Sequence, residues 1–330
     1  MFKHTLMSCA FAAAIALVHA GGASAATELR FGHAQPPGDT VHKAAEHFKQ
    51  QVEKGSNGEI VVNVFPAGQL GSNKAMVEGI RLGTLDITAN GNPFWTGFNP
   101  VQNVLDLPYL FESYEHAYRV LDGDVGRNIL KGLESKGVKG IAFWEIGFRN
   151  VTNNVRPIEK PEDLKGIKVR TTPNKAHVKA FQLLGANPVT MSFTDVYMAL
   201  QTGTVDAQEN PVGLIYSNRF NEVQKHLSLT RHAYTPYVFA MNLAKFNALS
   251  PEHQKLVLDA GISAAERQRQ ANRDLEEGQL AELKKSGMQV IEDVDPAPFR
   301  KIVYEPVKAD YVAEHGSELV DRIIALGTGS

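Results

Sequence analysis

The segment T-E-L-R-F-G-H at residues 27–33, read together with I-V-V-N-V-F at 60–65, decides the fold class. Both stretches carry the apolar alternation of β-strands. Between them Val41, Ala44, Phe48 and Val52 recur at helical spacing, and the Gly-rich break at 55–58 ends that helix. Residues 74–82 read as a second helix stopped by Gly83, and 85–89 as a third, short strand. Strand, helix, strand, helix, strand is the alternation of a mostly parallel α/β sheet. Ligands of such sheets bind beyond the carboxyl ends of the strands. That rule sends His33, residues 66–73, and Asn90, Asn92, Phe94 and Trp95 to one mouth.

A second α/β unit follows, with strands at 140–145, 167–171, 187–191 and 205–208 and helices at 175–184 and 195–201. The run V-E-G-I-R-L-G-T-L-D-I-T at 77–88 is echoed by Y-M-A-L-Q-T-G-T-V-D-A-Q at 197–208. Each is a helix end, a glycine suited to a left-handed cap, then Thr, an apolar residue, Asp and a strand. The echo suggests two equivalent lobes, each sending a strand end into a shared cleft, although any helix–Gly–strand corner has a similar form. Ser250 followed by Pro251 is a strong helix start, and the helical pattern then runs to Lys285. At ~1.5 Å per residue such a helix is about 50 Å long. It must therefore kink at Gly261 or bridge two lobes. A strand at 288–291 and helices at 295–316 and 317–326 close the chain. The expected division is lobe I from 26–148 plus about 236–275, and lobe II from 149–235 plus about 276–330, with crossings near Arg149 and 232–239.

The chemistry concentrates in G-F-R-N-V-T-N-N-V-R-P-I-E-K-P-E-D-L-K-G-I-K-V-R, residues 147–170. It sets Arg149 just after one strand and Arg170 at the end of the next. A guanidinium is a rigid planar fork that suits a carboxylate better than a lysine does. Residue chemistry alone thus points to capture of a small organic acid, while leaving a solvated surface role open for each arginine.

Lys3 and His4 precede an apolar run at 6–18, and Ala23-Ser24-Ala25 offers a small-x-small cleavage site. Residues 1–25 read as a secretory signal peptide and place the chain in a bacterial periplasm. The run is shorter than the ~20 residues of a membrane span. Cys9, the only cysteine, goes with the signal, so no disulfide or thiolate metal site is expected. With 34 Lys plus Arg against 36 Asp plus Glu, the charges are nearly balanced. They are also interspersed, which argues against a nucleic-acid partner. The 11 histidines form no H-E-x-x-H or close cluster, so neither metal nor cofactor is expected. G-x-S-x-G is absent, which counts against a hydrolase of that type.

Five motifs in order then become recognisable: F-P-A-G-Q-L-G-S at 65–72, L-G-T-L-D at 82–86, D-L-P-Y-L-F at 106–111, K-P-E-D-L-K-G-I-K-V-R at 160–170 and G-T-V-D-A-Q-E-N-P at 203–211. Across essentially the whole mature chain the sequence resembles the substrate-binding proteins of tripartite ATP-independent periplasmic (TRAP) transporters. The resemblance implies a two-lobed, periplasmic-binding-protein-like α/β fold with a long lobe-spanning helix. It also implies a non-enzymatic monomer that delivers an organic acid to the small and large membrane subunits of an ion-gradient-driven permease. The family's principal carboxylate arginine matches Arg170, its supporting arginine Arg149 and its orienting asparagine Asn210.

The remaining cleft positions decide which acid is bound. Asn73, Asn92, Glu145 and Glu209 can hydrogen-bond hydroxyls. Trp95 and Trp144 can lie against a sugar face, with His33 and Tyr237 as lesser candidates. The set favours a hydroxylated monocarboxylate such as a hexuronate. A C4-dicarboxylate or 2-oxo acid is the alternative, as is a module that feeds a signalling receptor instead of a permease.

Overall fold

The computed structural model describes residues 25–327, so the expected signal peptide, Cys9 included, lies outside the described residues up to residue 24. The first strands and helices are β1 (Thr27–Gly32), α1 (Thr40–Gly55), β2 (Ile60–Phe65), α2 (Asn73–Leu82) and β3 (Ile87–Gly91). Helix α1 begins where the Asp39 carboxylate accepts the Val41 N–H at 2.8 Å, and α2 where Ser72 Oγ accepts that of Ala75 at 3.2 Å. These caps satisfy amides that have no partner within the helix. Then come α3 (Tyr114–Asp122), α4 (Asp124–Gly132), β4 (Val138–Phe148), β5 (Asn150–Asn153), β6 (Lys168–Thr171), α5 (Lys175–Leu183), β7 (Asn187–Thr190), α6 (Val196–Gln201) and β8 (Ala207–Asn210). The chain ends with α7 (Val212–Ser217), β9 (His226–Ser228), β10 (Tyr234–Asn242), α8 (Leu243–Ala248), α9 (Pro251–Lys285), β11 (Gln289–Ile291), α10 (Pro296–His315) and α11 (Glu318–Gly327).

Two sheets form, in the orders β2-β1-β3-β10-β4 and β11-β9-β5-β8-β6-β7. They are mixed rather than mostly parallel. β1 runs parallel to β2 and β3, but β10 is antiparallel to both β3 and β4, and β5 is antiparallel to β8 and β9. The antiparallel strands are those that pass between sheets. β4 leaves the first sheet and becomes β5 of the second after the single residue Arg149, while β9 returns to β10 through residues 229–233. At the crossover the Arg149 N–H donates to Ala233 O at 2.8 Å and the His232 N–H to Arg149 O at 3.2 Å. Arg149 is therefore clamped by its backbone where the two halves meet.

Helix α9 is continuous over 35 residues and bridges both halves. Its Val257, Ala260, Ala264 and Ala265 pack into the core of the first sheet, and Leu283 joins the core of the second. Gly261 is explained by close approach, not by a kink. A Cβ there would stand 2.6 Å from Ile141 Cγ2 and 2.8 Å from Phe239 Cε1. The internal echo also has a structural counterpart. Gly83 and Gly203 both take a left-handed φ, 75° and 68°. Asp86 then accepts the Arg30 N–H at 2.8 Å, and Asp206 the Lys168 N–H at 2.9 Å, each from the neighbouring parallel strand. Both corners aim the next strand, β3 or β8, at the junction between the sheets.

Candidate functional site

The carboxyl ends of β3 and β8 meet the crossover strands around a small cavity. Its walls include Gln35, Asn73, Gly91, Phe94, Ile146 and Tyr237 from the first half, and Arg170, Thr172, Phe193, Asn210 and Leu214 from the second, with Arg149 between them. Both arginines are buried, each with 1% of its surface exposed. Their situations differ sharply. The Nε and Nη2 of Arg149 donate side by side to the two oxygens of the Glu209 carboxylate, and Nη2 also reaches Glu209 O at 2.6 Å and Asn210 Oδ1 at 3.1 Å. Glu209 further accepts from Thr171 Oγ1 and pairs with His232 Nε2, both at 3.2 Å. Burial works against its charge, but Arg149 and His232 more than offset this and hold its carboxyl far below the usual range. The Arg149 charge is thus matched within the chain.

Arg170 has no such partner. Its Nη2 donates to Met191 O at 2.8 Å, and its Cζ lies 5.9 Å from the centre of the Phe193 ring. Its Nε has no hydrogen-bond partner. Among the described residues three arginines are buried: Arg149, Arg170 and Arg269. Arg269 pairs with Asp122 and Arg149 with Glu209, so Arg170 alone lacks a carboxylate. Burial pulls its pKa down to about 10, against the opposing pull of the Glu209 charge and with a smaller push from Arg149. An unmatched buried cation with a free donor is costly unless an anion joins it.

A larger groove of about 770 Å³ adjoins the cavity and shares Ile146, Leu214 and Tyr237 with it. Size alone would favour that groove. However, its Arg273 is already paired with Glu145 at 2.7 Å and Glu276 at 2.9 Å. The unmatched charge lies in the smaller cavity, which is therefore the better candidate for an anion site.

Of the residues expected from sequence, Arg149, Arg170, Asn210, Asn73, Tyr237 and Phe94 come together on the cavity wall. Asn73 Nδ2 donates to Asn90 Oδ1 at 2.5 Å, while its buried Oδ1 has no partner. The others stand elsewhere. Glu209 lies behind Arg149. Asn92 is turned to Asp106, donating at 2.7 Å. Trp95 is core, with its Nε1 held by Asn90 O at 3.2 Å. Trp144 stacks on Phe239 at 4.6 Å and donates to Gly261 O under α9. Glu145 faces α9 and the groove, receiving Arg273, Asn272, Tyr118 and Tyr234. His33 is buried against Phe31, and its Nε2 is hydrogen-bonded to His42 Nδ1 at 3.1 Å. One physical cause recurs. Trp144, Glu145 and Glu209 do sit on strands, but strand alternation turns their side chains into a core or onto a helix, while Asn92 and Trp95 belong to the 3-10 turn that follows β3.

The residues missed by the sequence reading are Gln35, Ile146, Thr172, Phe193 and Leu214 on the wall, and Asp106, His177 and His232 behind it. One carried a usable signal, since Thr172 lies two positions from Arg170, just past the end of β6, and so shares its side of an extended chain. His177 donates to or accepts from Thr172 Oγ1 at 2.8 Å, and burial lowers its pKa to about 3. Asp106 is fully buried and ties the halves together. It accepts from Asn92, from Asn174 at 3.0 Å and from Thr235 at 3.4 Å.

Burial raises the Asp106 pKa from 3.8 to about 8, against the pull of its Asn92 hydrogen bond. The folded state holds this proton more tightly than the unfolded chain. Its contribution to stability is thus fullest below about pH 4 and is lost as pH rises through about 8. Asp106→Asn keeps the acceptor without the charge. Its stability relative to wild type should rise across that window and level off above it. Urea unfolding of both proteins at a series of pH values checks this, and parallel curves would contradict it.

With this geometry in hand, the family is clear. Residues 31–314 match the family model DctP, bacterial extracellular solute-binding protein family 7, and the chain belongs to that family. It is a solute-binding protein of the TRAP class and not an enzyme. The chain is 39% identical to the 2,3-diketo-L-gulonate-binding periplasmic protein YiaO of Escherichia coli K12, over 91% of this chain and 92% of that protein. It is 33% identical to the C4-dicarboxylate-binding periplasmic protein DctP of Rhodobacter capsulatus, covering 89% of this chain and 87% of that one. Among solved structures, a TRAP periplasmic solute-binding protein of Polaromonas sp. JS666 bound to D-erythronate superposes with a TM-score of 0.89. It is 39% identical and covers 91% of this chain and 98% of its own.

Proposed function

We propose that the protein is exported by a cleaved N-terminal signal, captures a hydroxylated monocarboxylate between its lobes and delivers it to an ion-gradient-driven TRAP permease. The observation that carries this reading is Arg170, the buried arginine without a carboxylate. Among the described residues two charged ones line the cavity, Arg149 and Arg170, and Glu209 offsets the first. One net positive charge suits one carboxylate. In this reading Arg170 forms the two-pronged pair while Arg149 and Asn210 fix its plane. The unpartnered Asn73 Oδ1, with Gln35, Thr172 and Tyr237, suits a hydroxylated tail. The relatives bound to D-erythronate or named for 2,3-diketo-L-gulonate support the same class. A C4-dicarboxylate is the second reading, favoured by the Rhodobacter relative's name, but its second carboxylate would face no cation on this wall.

A thermal-shift screen of the mature protein tests the choice, because a ligand of the folded state raises the midpoint by mass action. Sugar acids, including D-erythronate, galactonate and the hexuronates, should give the largest shifts. Large shifts confined to succinate and fumarate would overturn the monocarboxylate reading.

A further inference from the structure

Helix α7 and the β1–α1 loop face each other beside the cavity, one from each half. Four side chains there join across the gap. Ser217 Oγ, at the end of α7, donates to Asp39 Oδ2 at 2.7 Å. Asn218 Nδ2 donates to Gln35 Oε1 at 3.2 Å and also to Ser217 Oγ at 3.1 Å. Gln35 in turn donates through Nε2 to the Tyr237 hydroxyl at 2.6 Å. Gln35 and Tyr237 line the cavity; Asp39, Ser217 and Asn218 do not. Asp39 is already fixed on its own side, since its other oxygen caps α1. Gln35 and Asp39 are buried, with 2% and 5% of their surfaces exposed, so separating the halves must break these bonds and wet the groups.

We infer that Asp39, Ser217, Asn218 and Gln35 form an interlobe latch that keeps the cleft shut around a bound acid without touching that acid. The inference rests on the binding function proposed above. Gln35 links the latch to the site, because one amide grips the opposite lobe with its oxygen and the cavity-wall Tyr237 with its nitrogen. A ligand that orders Tyr237 orders Gln35 and so favours the bond to Asn218. Such bonds exist only in the closed form. They slow release and leave encounter untouched. Asp39, Ser217 and Asn218 are positioning residues in this scheme.

Two measurements test it. The acid giving the largest thermal shift is used in stopped-flow release from wild type and from Ser217→Ala/Asn218→Ala. Two hydrogen bonds are lost, so release should quicken by about tenfold, with association unchanged within about twofold. Ser217→Thr, which keeps the hydroxyl, should restore its share. Equal release rates, or a loss confined to association, would overturn the latch. The second measurement needs no ligand. The mature chain has no cysteine, and in Asp39→Cys/Ser217→Cys the sulfurs replace two groups now in hydrogen-bond contact. Oxidation should yield an intramolecular disulfide that traps the closed form, detected by peptide mass. A folded double variant that forms no such bond would refute the latch. If the bond forms but no acid in the screen hastens it, the latch placement stands and the acid-binding reading fails.

Discussion

Arg170→Ala should abolish acid binding and leave the fold at least as stable as before. The two halves of this expectation have one cause. In the free protein Arg170 is a buried cation matched by no carboxylate, with an unpaired Nε. Removing it relieves a desolvation cost and gives up the bond to Met191 O and the contact with the Phe193 ring. In the complex the same change leaves a buried carboxylate without its fork. Two charge-assisted hydrogen bonds at ~1.5–3 kcal/mol each amount to at least a hundredfold in affinity, at about 1.4 kcal/mol per factor of ten. Arg170→Lys should also bind poorly, because an ammonium cannot reproduce the planar fork. Calorimetric titration beside urea unfolding checks both halves. Affinity within a few-fold of wild type would remove Arg170 from the site, and a large loss of stability would make it a structural residue.

The neighbouring arginine should behave in the opposite way. Arg149→Ala leaves Glu209 buried with only Thr171 and His232 as partners. Breaking a buried ion pair by deleting one member costs ~3–5 kcal/mol. Arg149 also stands where β4 becomes β5, so the damage falls on the junction of the two sheets. The urea midpoint should drop accordingly. Glu209→Gln should lose less, because its amide oxygen still accepts from the guanidinium. A normal midpoint for Arg149→Ala would mean that the pair contributes nothing to the junction. The two arginines should thus separate by experiment, Arg170 as the proposed ligand anchor and Arg149 as chiefly a fold anchor that also fills the wall.

That division could not be read from the chain. The sequence shows two arginines at two strand ends, and it takes the fold to bring Glu209 against one and nothing against the other. The parallel strands β1 to β3, the glycine corners and the Ser250–Pro251 helix start were legible, because alternation, a left-handed cap and a proline at the first turn are local signals. The antiparallel crossing strands were harder, since their partners lie far away along the chain: Tyr234 pairs with Phe148 and Val151 with Ser228. At the site, position along a strand was legible and side-chain direction was not. Trp144 and Glu145 are adjacent on β4, yet one stacks into a core and the other faces α9. The sequence alone places both in the cleft. The hydroxyl-binding role expected of Asn92, Glu145 and Glu209 falls instead to Gln35, Asn73, Thr172 and Tyr237 in the proposal made here.

The central claim is that a carboxylate completes Arg170. A crystal structure of the mature protein grown with the acid that gives the largest thermal shift tests it most directly. The carboxylate oxygens should lie within about 3 Å of the Arg170 guanidinium nitrogens, with the Arg149–Glu209 pair unbroken behind them. An acid seated in the larger groove beside Arg273, with Arg170 still unmatched, would contradict it.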